Sequence, residues 1–345
     1  MNVIQQIKNI ADKKGIHNTF ITLNEELHEA LSLYWDIATQ ILNKSGINVL
    51  APTSEYFSIE RNFFSTLFLY SYFRVGISKS RRVLYAAVNQ CLRGMVTGCD
   101  NILDDEYKKT LETDLPKQAT RFRSVLDIMV SDRVLFAILQ KGYLADDLNL
   151  SQVQAASFES LRALAKSGAQ EASEECGVGE ILSPENILSK IHHYKTGILF
   201  QSPWALPEVI DNYNLKDTSG IKNAYFQIGM GCQILDDMVD LTMDIRLNRH
   251  NYVASLIRHG TNLKESIILD TILATDNRVE KNQELLFKFP DARRTAAAAA
   301  LKFLINGTEN LFAENHHFMV NISISFIVKR IGADRVLFDI EEQGI

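Results

Sequence analysis

Glycine and proline are scarce in this chain, with 17 Gly and 6 Pro in 345 residues, about 7% against roughly 12% in average usage. That scarcity argues against a turn-rich sandwich, a barrel or a low-complexity chain. Cysteine is scarce too: Cys91, Cys99, Cys176 and Cys232 show no CxxC spacing, so no zinc knuckle or disulfide framework is predicted, and a reducing cytoplasm is the expected compartment. Charge is mild, 36 basic against 42 acidic residues for a net −6, which excludes a nucleic-acid partner held by bulk charge. Long apolar runs are missing as well. The strongest, Phe63 to Phe73, falls far short of the ~20 residues that cross a bilayer and reads as a buried helix. Residues 1–15 carry no signal-peptide core.

What is present is helical signal from end to end. Leu27, Leu31, Tyr34, Ala38 and Ile41 recur in steps of three and four, as one face of a helix requires. Ser54 with Glu55 predicts the start of the aromatic segment ending near Phe73, and Ser151 with Gln154 fits a capping box. Ser183-Pro184-Glu185 supplies a cap, a proline at the first helical position and an acid in the first turn. Further starts are expected near Thr218 and at Pro290, ahead of the alanine tract 296–300. Loops are expected at 15–18, 46–53, 113–116 and 177–183, all short, so no domain boundary is visible. Nowhere does alternation demand a sheet. The expectation is one all-α domain over residues 1–345, a single large bundle of about ten to thirteen helices.

Carboxylates interrupt that apolar pattern in two places. In Gln233-Ile234-Leu235-Asp236-Asp237-Met238-Val239-Asp240, Asp236 and Asp240 share one helix face, with Asp237 adjacent. In Cys99-Asp100-Asn101-Ile102-Leu103-Asp104-Asp105-Glu106, Asp100 and Asp104 repeat the spacing. Like charges four residues apart repel, and within an apolar stretch the conflict must be relieved by a partner or a metal. Mg2+ takes oxygen ligands, commonly one or two carboxylates plus substrate phosphates. The clusters lie 136 residues apart, far enough for intervening helices to bring them face to face across a bundle core. Two carboxylate walls around one cavity suggest a multi-metal diphosphate site.

Together with Lys195-Thr196-Gly197-Ile198-Leu199-Phe200, these motifs resemble, in order and spacing, those of the trans-prenyltransferases, the polyprenyl diphosphate synthase branch of the class I isoprenoid synthases. The similarity covers roughly residues 55–260. It implies an all-α bundle with a central apolar cavity, in which Mg2+, three ions with bound diphosphate, grips an allylic isoprenyl diphosphate. By that resemblance Asp100, Asn101, Asp104, Asp105, Asp236, Asp237 and Asp240 stand on the metal side, Lys195 and Thr196 contact the diphosphate, and Gln233 precedes the second motif. It also implies a homodimer. The chemistry agrees: ionising an allylic C–O bond needs cations on the leaving diphosphate and an apolar, aromatic pocket around the carbocation. Phe64 and Phe68, within the aromatic run 63–73, are candidates for that pocket, and ordinary core packing is the alternative reading of the run. Small residues at Gly94, Thr97, Gly98 and Cys99 would permit a long substrate chain.

The sequence departs from the family at the second, basic site of chain-elongating members. Upstream stands Arg61 with no lysine beside it, and after the first aspartates Lys108-Lys109 replaces an arginine pair. Asn101 stands where a second Asp is common. Downstream, Arg246 and Arg249 are the candidates to close over a diphosphate. Lys79, Arg81 and Arg82 lie about 20 residues before Asp100 on the same helix, nearly 30 Å away at ~1.5 Å per residue. The thin basic site favours a terpene synthase that ionises one allylic diphosphate and cyclises or quenches the cation. The alternative is a prenyltransferase condensing it with isopentenyl diphosphate or another acceptor, with Arg61, Lys108 and Lys109 or Arg121 and Arg123 filling the basic site. A third reading is a non-catalytic subunit of a heteromeric synthase. His192-His193 and His316-His317 read as packed or surface histidines, since no third ligand is placed by spacing.

Overall fold

The computed structural model describes residues 17–105, 107–211, 215–274 and 283–341. The N-terminal segment 1–15, part of the expected loop 15–18, and Glu106 lie outside the described residues. Among those described there is no β-strand, only one antiparallel bridge between Val49 and Thr113, so the all-α expectation holds. No described helix is long and apolar enough to cross a membrane. All four cysteines are free thiols.

The chain divides into two compact units, one made of residues up to Leu164 with Pro203–Thr218, the other of Ala165–Ser202 with Ser219 onward. The first is built on α1 (His17–Leu42), α2 (Phe63–Arg74), α3 (Lys79–Leu103), α4 (Thr120–Leu144) and the start of α5 (Leu150–Glu174). Along α1 the expected face is buried at Leu27, Leu31, Tyr34 and Ala38, and only Ile41 at the helix end is exposed. Helices α3 and α4 press together at Gly94 and Gly98. A Cβ at 98 would stand 2.6 Å from Ile128 and 2.8 Å from the Ser124 carbonyl, so these glycines serve helix contact and do not open room for a long substrate chain. In α2, Tyr70 and Tyr72 are core residues: the Tyr72 hydroxyl donates to the Pro203 carbonyl at 2.6 Å and its ring lies 5.3 Å from Trp204. Each such burial contributes roughly 1.5–3 kcal/mol. Phe64 and Phe68 are only half-buried.

Three helix starts differ from expectation. Ser54 opens a single 3-10 turn, Ser54–Phe57, and α2 begins at Phe63 instead, because Asn62 holds the intervening chain by donating to the carbonyls of Tyr56 (2.7 Å) and Ser58 (3.0 Å). The capping box of α5 is Asn149 with Gln152, two residues earlier than expected: Gln152 N–H donates to Asn149 Oδ1 and Asn149 N–H to Gln152 Oε1, both at 2.9 Å. Helix α1 is already formed at His17. The basic residues at the start of α3 are consumed structurally: Lys79 pairs with Glu29 at 3.2 Å, Arg82 Nε donates to buried Glu26 at 2.8 Å, and Arg81 approaches Asp211 at 3.5 Å.

The second unit contains the rest of α5, α6 (Leu215–Leu247) from Ser219 on, α7 (Tyr252–His259), α8 (Pro290–Leu311) and shorter helices at 263–274, 319–331 and 334–341. Ser183-Pro184-Glu185 starts a helix as expected, but it passes at once into an eleven-residue π-helix, Ile187–Gly197. Helix α6 starts at Leu215, three residues before Thr218. In α8 the alanines 296, 297 and 300 are buried, so the tract is packed and not merely helix-forming.

Candidate functional site

The first aspartate cluster sits where α3 ends. Asp100 is half-buried, Asp104 caps the helix and Asp105 has φ +51°, and both of the latter are exposed. Asn101 is buried, and its amide is spent on the chain reversal: Oδ1 accepts from Lys108 N–H at 2.7 Å and Nδ2 donates to the Lys108 carbonyl at 3.0 Å. An aspartate could not donate the second bond, which explains the departure at this position. Arg61 donates to the Lys109 carbonyl at 2.7 Å with its guanidinium over the Tyr56 ring, and Lys109 is ion-paired with Glu112. Buried Arg123 donates to the Tyr107 hydroxyl (2.9 Å) and the Leu115 carbonyl (3.2 Å). Arg121 meets Asp105 only at 3.5 Å, with both exposed. Beneath this loop lies a carboxylate that motif reasoning missed. Asp127 is buried, and burial pushes its pKa up to about 7 against the opposing pull of Thr110 and Arg123.

In the second unit the π-helix carries Lys195 and Thr196 up to α6. At Gly229 a Cβ would stand 2.6 Å from the Thr196 carbonyl, so glycine is what admits this approach. The Thr196 hydroxyl donates to Gln233 Oε1. Gln233 Nε2 donates to Asp237 Oδ1 at 3.0 Å and reaches Asp236 Oδ2 at 3.5 Å. Lys195 pairs with Glu171 at 3.3 Å, and its carbonyl accepts from Ser167 at 2.6 Å. Burial acts to lower the Lys195 pKa, but Glu171, Asp237, Asp244 and Asp236 together hold it above the usual lysine range. The structure thus brings Lys195, Thr196, Gln233, Asp236 and Asp237 together.

Helix geometry divides the aspartates. Asp236 and Asp240 are exposed, while Asp237 turns inward. Burial would raise the Asp237 pKa, yet His192, Gln233 and the Tyr252 N–H hold it below the usual carboxylate range. Asp244, one further turn along the Asp236/Asp240 stripe, is pushed well up by burial and by the negative charge of Asp237. The spacing of four made Asp244 readable from sequence, whereas nothing local signals Glu171. At the end of α6, exposed Arg246 contacts the Met243 sulfur at 3.2 Å, and Arg249 N–H donates to the Asp244 carbonyl at 2.9 Å. Of the histidine pairs, His192 and His316 are packed, as expected.

Among the described residues no three His, Cys, Asp or Glu side chains already converge as a metal-binding group. The donor set nevertheless fits Mg2+, which needs only one or two carboxylates once phosphate oxygens and water complete its shell. The exposed Asp236/Asp240 pair offers that chemistry.

No family model matches the chain, and no curated protein matches it by sequence. Solved structures do match in fold. A geranylgeranyl pyrophosphate synthetase from the archaeon Geoglobus acetivorans is 16% identical, with 90% of this chain and 99% of that one covered at TM-score 0.60. An octaprenyl pyrophosphate synthase from Helicobacter pylori (14% identity, 89% and 98% covered, TM-score 0.59) and a decaprenyl diphosphate synthase from Rhodobacter capsulatus (12%, 89% and 99%, 0.58) are similar. The chain therefore has the all-α fold of the isoprenoid synthases, shared with these prenyl diphosphate synthases.

Proposed function

We propose that this protein is a Mg2+-dependent prenyltransferase of the polyprenyl diphosphate synthase type, condensing an allylic isoprenyl diphosphate with isopentenyl diphosphate or another acceptor. The observation that carries the reading is the meeting of Lys195, Thr196 and Gln233 with Asp236 on a chain of this fold. Lys195 is held cationic by its carboxylate neighbours and is suited to neutralise a leaving diphosphate. Thr196 and Gln233 are placed to orient it, and Asp236 and Asp240 would hold Mg2+; Asp100 and Asp104 offer the same ligand chemistry within their own unit. Bound Mg2+ would supply Lewis-acid stabilisation of the departing diphosphate. The likeness to chain-elongating synthases moves this reading ahead of cyclisation, which sequence alone favoured. A terpene synthase remains the second reading, because Arg61, Lys109 and Arg123 are engaged by the loop that a second diphosphate would need. Incubation of the purified protein with Mg2+ and geranyl, farnesyl or geranylgeranyl diphosphate, with and without isopentenyl diphosphate, separates them. Elongated product that forms only with isopentenyl diphosphate supports the first, diphosphate release without it supports the second, and turnover in neither leaves a non-catalytic subunit.

We further propose that the protein works as a homodimer in a reducing cytoplasm. Helix α4 leaves Phe122, Val125, Met129, Phe136 and Tyr143 exposed in one stripe, on the order of 600 Å2 of apolar surface against about 800 Å2 per partner in a standard interface. Phe122 and Tyr143, and Met129 and Phe136, are placed symmetrically about the middle of the stripe, where exposed Asp132 and Arg133 are adjacent. Antiparallel pairing with a second copy gathers two charges of each sign there. Asp132→Arg and Arg133→Asp should each run as monomers in size-exclusion chromatography and re-form a dimer when mixed. Separate dimers of both variants would refute this pairing.

A further inference from the structure

Asp237 follows Asp236 in sequence, but a step of 100° around the helix sends it to the buried side. Both its oxygens are occupied there. Oδ1 accepts from Gln233 Nε2 at 3.0 Å, and Oδ2 accepts from the Tyr252 N–H at 2.5 Å and pairs with His192 Nε2 at 3.0 Å. His192 is itself 1% exposed. Three partners on two inward oxygens take most of the lone-pair positions that a metal ion would use, on a carboxylate that is itself buried.

The same bonds set the polarity of the neighbouring amide. With its nitrogen held by Asp237, Gln233 turns its carbonyl oxygen to Thr196, whose hydroxyl donates to it. Asn251, fully buried, pins the assembly from the other side: Nδ2 donates to the Asp237 carbonyl at 2.7 Å and to Asp244 Oδ2 at 2.8 Å, while Oδ1 caps α7 at Val253 and Ala254. The chain His192–Asp237–Gln233–Thr196 therefore runs from the π-helix, through α6, and back to the π-helix beside Lys195.

We propose that Asp237 and His192 form a positioning pair and that Asp237 is not a metal ligand. The pair orients Gln233, and through it Thr196, for the diphosphate, and leaves the metal to Asp236 and Asp240. This rests on the proposed function of the same site. It follows from the contacts of Asp237 and not from the motif, since an aspartate motif read as sequence treats Asp236 and Asp237 alike.

The test is binding to the full-length protein, with inorganic diphosphate as the probe. Calorimetry at saturating Mg2+ measures diphosphate affinity, and electron paramagnetic resonance with Mn2+ counts ions bound in its presence. Asp236→Asn should lower the ion count. His192→Ala and Asp237→Asn should keep the wild-type count and weaken diphosphate roughly 10-fold or more, the scale on which an outer hydrogen-bond partner acts. His192→Gln, which can still donate to Asp237, should recover most of the affinity, a rescue that a purely structural loss would not track. If Asp237→Asn loses an ion as Asp236→Asn does, or His192→Ala binds diphosphate like wild type, the positioning pair is refuted. Should Asp237→Asn fail to fold by circular dichroism, the His192 variants decide alone. Wild-type protein that binds no diphosphate with Mg2+ overturns the proposed function itself, and the pair with it.

Discussion

The two aspartate clusters share a sequence spacing but not a structural situation. The first lies at the C-terminal end of α3, where the helix stops and the chain reverses, so Asp104 and Asp105 face water and Asn101 serves as the clasp. The second lies inside α6, where the helix continues for about two more turns, so every residue has a fixed direction and the aspartates split between surface and core. A carboxylate motif at a helix end is set by its loop, and one within a helix by what packs beneath it. That difference explains why the first cluster tolerates an amide, whereas the second needs His192, Gln233 and Asn251 to hold its buried member.

The contrast can be broken most strongly at the exposed stripe. Asp236→Ala should cut steady-state turnover by about 10²–10³-fold or more, the effect of removing one group that stabilises developing charge. Asp105→Ala, which among the described residues meets exposed Arg121 at 3.5 Å, should cost far less, and equal losses would erase the distinction. A smaller effect is expected at the clasp. Asn101→Asp removes the donor to the Lys108 carbonyl and should lower stability by about 1–3 kcal/mol in a denaturant titration, with no comparable loss for Asp104→Asn.

The smallest effect concerns the floor of the first loop. Asp127 is protonated more readily when folded, because burial raises its pKa to about 7. The folded state therefore binds more protons than the unfolded one between roughly pH 4 and 7, and this contribution to stability falls as pH rises through that window. Asp127→Asn should raise the melting temperature by a few degrees at pH 8 and by much less at pH 4. A gain that is independent of pH would show that Asp127 is ionised throughout.

Much of this was readable in the residues. The shortage of Gly and Pro, the apolar steps along α1, and the Ser183-Pro184-Glu185 start depend on local geometry, and each is found where expected. So is the separation of Lys79, Arg81 and Arg82 from Asp100, which follows from helix rise alone. The two misplaced starts are local in origin: Ser54 and Ser151 are good cap residues, but Asn149 exchanges its cap bonds with Gln152 two positions earlier, and Asn62 ties the chain before α2 to the Tyr56 and Ser58 carbonyls just upstream.

Helical periodicity by itself determined that Asp236 and Asp240 share a side and that Asp237 points away from it. Which side meets water was decided only by tertiary structure, through His192 from 45 residues upstream and the Tyr252 N–H from the next helix. Likewise the sequence supplied Lys195, and the fold supplied Glu171 as its counter-charge. Directions along one helix follow from a fixed rotation per residue, whereas burial and charge pairing depend on segments far apart in the chain, and no local pattern encodes those.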